Sequence, residues 1–79
     1  MQYVVTFHSH FGATRFARHL RDKDIPCVLK PVPRRLSSSC GTCAQFETEG
    51  DALPLVTDDV DGLYRPAGEG YEQLWKSEE

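Results

Sequence analysis

TCAQFET, residues 42–48, admits two readings, and the fold turns on which one holds. Ala44, Phe46 and Thr48 alternate with Cys43, Gln45 and Glu47, the period-two pattern of a half-buried strand. Read as a helix, with Ser39 as cap and Cys40 in the first turn, the segment would set a thiol at the positive end of a helix dipole, as thiol oxidoreductases do. That helix would carry no apolar stripe beyond Cys43 and Phe46. A strand is expected.

Upstream, QYVVTF (residues 2–7) is rich in β-branched and aromatic residues and reads as a strand. Ser9 or His10 can cap the helix that follows. Ala13, Phe16, Ala17 and Leu20 form its apolar face, with Arg15, Arg18 and Arg21 off it. The helix should stop near Lys23, because Pro26 restricts the residue before it. CVLKPVP (residues 27–33) is a second extended run, placed at an edge or cut short by Pro31. This strand–helix–strand spacing predicts a right-handed βαβ unit with parallel strands.

Downstream, residues 51–60 are expected as a short helix with Pro54 in its first turn. GLYR (residues 62–65) reads as a last strand and residues 66–70 as a turn. Tyr71, Leu74 and Trp75 fall at helical spacing in a final segment. The expected fold is one α+β domain over residues 1–79. It is a ferredoxin-like βαββαβ sandwich with two helices on one face of a small sheet, and residues 66–79 are a C-terminal extension.

A chain of 79 residues with 39% hydrophobic content buries a thin core, so a partner or a homodimer mate would add stability. No stretch approaches the roughly 20 apolar residues of a membrane span, and none reads as a secretory leader. Three cysteines is an odd count for a disulfide scaffold. A cytoplasmic protein is expected, with no membrane partner. Residues 1–43 hold seven Lys/Arg against two Asp/Glu, and residues 44–79 hold two against ten. The cysteine pair closes the basic half, and the two halves can also pair with each other. Net charge is −3, which argues against nucleic acid as a partner.

Cys40-Gly41-Thr42-Cys43 permits several chemistries. A nucleophilic thiolate at Cys40 would be favoured by the cations Arg34 and Arg35. Ser38 and Ser39 would add hydroxyl and backbone donors, and Gly41 would add backbone freedom. Cys43 could attack a persulfide on Cys40, releasing sulfide and closing a disulfide, which is the dithiol reading. One C-x-x-C is also half of a zinc site, to be completed from Cys27, His8, His10 or His19. The plainest reading is a Ser-rich surface turn with an incidental cysteine. Cys27 itself reads as a buried structural thiol.

PVPR (residues 31–34), SSCG (residues 38–41), VVTF (residues 4–7) and GLYR (residues 62–65) together resemble a family of small bacterial proteins described as selenium/sulfur carrier-like. The family pattern is an opening strand, a helix, a PVPR…SSCG passage and a closing strand. The resemblance implies that Cys40 is the carrier thiol, with Arg34, Ser38, Ser39 and Gly41 as its setting. Cys43 stands where the family pattern leads one to expect an apolar residue, so a second thiol is an addition. The implied activity is carriage of sulfur or selenium, as a persulfide or its selenium analogue, between donor and acceptor proteins. It calls for no cofactor and no stand-alone catalysis, because no acid, base and nucleophile constellation accompanies the thiol.

Overall fold

The structure, a computed structural model, describes residues 1–36 and 40–78. Five strands form one sheet: β1 (Gln2–Phe7), β2 (Cys27–Pro31), β3 (Thr42–Glu47), β4 (Val60–Ala67) and β5 (Gly70–Lys76). Their spatial order is β2-β3-β1-β4-β5, and every neighbouring pair is antiparallel. Helix α1 (His10–Asp22) is the one α-helix among the described residues.

TCAQFE is a strand, and it takes the place between β1 and β2. β1 and β2 therefore run parallel, as the β-α-β spacing predicts, but they are not neighbours. β3 separates them, antiparallel to both.

Helix α1 begins where Ser9 takes an extended backbone and its hydroxyl accepts from the Gly12 N–H at 3.0 Å. Gly12, Ala13, Phe16 and Leu20 are its buried face. Ala17 is only half-buried, at the margin of that stripe. On the sheet, Tyr3, Val5 and Phe7 of β1, Ala44 and Phe46 of β3, and Val60 and Leu63 of β4 join the same cluster. The Phe16 ring stands 5.4 Å from Phe7 and 5.9 Å from Phe46, and Tyr3 stacks on Phe46 at 5.7 Å. Those offset aromatic contacts add to the area each ring removes from water.

The second helix expected over residues 51–60 does not form. In its place Leu53–Leu55 make a single 3-10 turn, opened by the Asp51 side chain accepting from the Leu53 N–H. Pro54 supplies no N–H to a longer ladder. Leu53 is exposed, Leu55 and Val56 are half-buried, and Val60 is already the first residue of β4, so the four never shared one helical face. The ferredoxin-like βαββαβ order is thus corrected to one helix over a five-stranded antiparallel sheet. Ala52 belongs to the cluster, and Leu55 and Val56 pack against it.

The final segment is also corrected, from helical spacing to strand β5. It folds back on β4 through the two-residue loop Gly68-Glu69, with Gly68 in the left-handed region at φ 58°. A register shift opposite Leu63 and Tyr64 leaves Leu74 as the extra residue, since Trp75 pairs with Leu63 and Gln73 with Tyr64. The i, i+3, i+4 pattern of Tyr71, Leu74 and Trp75 is therefore a strand interrupted by a bulge.

Candidate functional site

One end of the sheet gathers the close of β1, the start of α1, the close of β2 and the starts of β3 and β4. The cysteine loop belongs to this end. Pro31 pairs with Thr42 across β2 and β3, and the Val32 N–H donates to the Gly41 carbonyl at 3.1 Å. These two contacts close the neck of the loop that runs from 32 to 41. Just outside the neck, the Leu36 N–H donates to the Pro33 carbonyl, and this turn carries Arg34 and Arg35, both exposed. The predicted contributors Ser38 and Ser39 lie outside the described residues.

Gly41 has φ 74°, a left-handed conformation that side chains resist. It breaks the strand alternation between Cys40 and Thr42 and folds the Cys40 side chain back onto the first residue of β3. There the Thr42 N–H donates to Cys40 Sγ at 3.4 Å, and the Cys40 thiol donates to the Thr42 carbonyl at 3.3 Å. Cys40 is half-buried and packs against the cluster beneath α1.

Cys43 has a different setting. Its register neighbours are Thr6 on β1 and Lys30 on β2, which places it on the sheet face opposite the helix-side pair Ala44 and Phe46. It is fully buried, and its thiol donates to the Pro31 carbonyl at 3.7 Å. Burial pushes its thiol pKa up, and the Lys30 ammonium offsets this in part. Cys27, on the edge strand opposite Phe46, is half-buried; burial raises its pKa as well, against a smaller opposing pull from Arg21. No disulfide joins any of the three.

The histidines divide. His10 Nδ1 lies 3.2 Å from Thr42 Oγ1, so the first turn of α1 is tied to the first residue of β3 beside Cys40. His8 turns the other way, with Nδ1 3.6 Å from Asp61 Oδ1, while Asp61 Oδ2 accepts from Lys76 Nζ at 2.7 Å. His19 lies against the Phe16 ring. Among the described residues no three of His, Cys, Asp and Glu come together as metal ligands, so neither the histidines nor Cys27 complete a zinc site around the cysteine pair. Of the pairing expected between the basic and acidic halves, Arg15 with Asp59 is a direct instance, and it holds the Asp59 carboxyl below its usual range.

Residues 2–55 match the family described as "Putative Se/S carrier protein-like". The chain belongs to this family. The matched stretch of the Se/S carrier-like family ends at the 3-10 turn, so it takes in the cysteine loop, all three thiols and α1, while the β4–β5 hairpin lies beyond it. No curated protein and no solved structure gives a significant match. No helix among the described residues is long and apolar enough to cross a membrane.

Sequence reasoning did not single out Thr42. Its hydroxyl, N–H and carbonyl are all engaged at the site, yet in the sequence it is only a spacer between two cysteines. The available signal was its place directly after a glycine and at the head of an alternating strand.

Proposed function

We propose that this chain carries sulfur or selenium on Cys40 between a donor and an acceptor protein. The observation that supports it most is the contrast among the three thiols. Burial suppresses the thiolate of Cys43 and Cys27. Cys40 sits on a surface bend whose next backbone N–H points at its sulfur. That donor is placed to hydrogen-bond the inner sulfur of an adduct. Arg34 and Arg35 are exposed on the same loop, and Gly41 supplies the bend.

Loading is an exchange without net oxidation. The Cys40 thiolate attacks the terminal sulfur of a donor persulfide. A new S–S bond forms on Cys40, the donor's S–S bond breaks, and the donor leaves as a thiolate. Delivery reverses the roles: the acceptor takes the terminal sulfur and Cys40 returns as a thiolate. Cys43 is not needed for either step, and its place on the opposite face argues against a dithiol cycle. Intact-mass measurement after incubation with a persulfide donor tests the proposal. The expected result is one added sulfur atom, mapped by peptide fragments to Cys40. Sulfur on Cys27 alone, or none, overturns it.

A further inference from the structure

Ionisation of Cys40 breaks one of its two contacts with Thr42 and keeps the other. The S–H···O=C bond goes with the proton, which leaves to solvent at this half-exposed site. The N–H···S bond remains and becomes charge-assisted, hence stronger. The value of that remaining bond depends on how firmly the Thr42 backbone is aimed. Strand pairing with Pro31 holds it from one side. From the other side the contact is with His10, at 3.2 Å on the Thr42 hydroxyl.

We propose that His10 is a positioning residue for the Cys40 thiol, acting through Thr42. The inference rests on the carrier reading of Cys40 and adds to it a group on a different element. His10 is in the first turn of α1, which Ser9 caps and which Asp59 abuts: a Cβ at Gly12 would come within 3.0 Å of the Asp59 side chain. The imidazole, itself exposed, is thus carried on a capped and packed helix turn. The contact is robust to the state of the ring. The Thr42 hydroxyl donates to Nδ1 in one tautomer, and accepts from Nδ1–H in the other and in the protonated ring. Fixing the Thr42 rotamer restrains the backbone it depends on. With it are restrained the N–H at the head of β3 and the sulfur that N–H faces.

The test uses iodoacetamide alkylation of Cys40 at neutral pH, followed by peptide mass mapping, so it does not require sulfur transfer. His10→Ala is expected to slow the reaction about three- to tenfold, a fraction of the worth of one charge-assisted hydrogen bond. His10→Asn restores a polar atom at the same distance along the side chain as Nδ1 and is expected to react within about twofold of the wild type. In a Thr42→Val background, which removes the hydroxyl and keeps the branched shape, His10→Ala is expected to cause no further change. Wild-type reactivity in His10→Ala, equal slowing in His10→Asn, or an undiminished His10→Ala effect in the Thr42→Val background each overturn the proposal. Failure of the carrier reading shows separately: the wild-type chain then takes no sulfur from a persulfide donor while this alkylation pattern stands.

Discussion

The bend at residues 40 and 41 and the interior of β3 adjoin in sequence, yet the chain gives their cysteines opposite settings. At the bend, a glycine with positive φ releases Cys40 from the strand, and its sulfur meets the peptide of Thr42. In the strand, Cys43 faces away from the helix, is sealed, and donates its S–H to a carbonyl of the next strand. The lesson is that C-x-x-C spacing carries little meaning until the backbone between the thiols is known. One left-handed residue separates a half-buried thiol on a bend from a sealed thiol in a strand.

The sharpest break of this comparison is the exchange of roles. Cys40→Ser should abolish sulfur loading completely, while Cys43→Ser should leave loading on Cys40 intact; intact mass reads both. The interior should then dominate stability. Phe46→Ala removes a ring shared by Tyr3 and Phe16 and is expected to cost about 3–5 kcal/mol in denaturant unfolding. Cys43→Ser puts a more polar hydroxyl into the same sealed site and should cost about 1–3 kcal/mol, whereas Cys40→Ser, half-exposed, should cost less. Gly41→Ala meets no atom within 4 Å, so its cost is the left-handed backbone alone, about 1 kcal/mol, with a change in Cys40 reactivity larger than that loss implies.

The smallest effect is a pH dependence. Cys27 and Cys43 have raised pKa values in the folded state, so above the ordinary thiol pKa of about 8.5 the unfolded chain loses these protons first. Their contribution to stability is full below that pH and is lost as pH rises through it toward the folded values. Cys43→Ser should flatten this slope in unfolding measured across the alkaline range.

Local pattern revealed the first half of the molecule. β1, the Ser9 cap, the helix stop near Lys23 and the alternation of β3 are each set by residues close in sequence, and each stands where the pattern puts it. The second half depends on contacts the pattern does not encode. Leu74 imitates a helical position because a bulge shifts it, and residues 51–60 look helical until Val60 is claimed by pairing with Phe7. At the site, the sequence singled out Cys40, Gly41, Arg34 and Arg35. It was silent on His10 as a neighbour of Thr42, because that contact spans 32 positions and exists only once α1 folds over β3.

The neck between Val32 and Gly41 separates two engineering problems. Insertions beyond it are expected to leave the register of β2 on β3 unchanged, since each doubling of loop length costs only about 0.6 kcal/mol of closure entropy. The scaffold is accordingly suited to loop libraries: display of varied tips on an unchanged sheet.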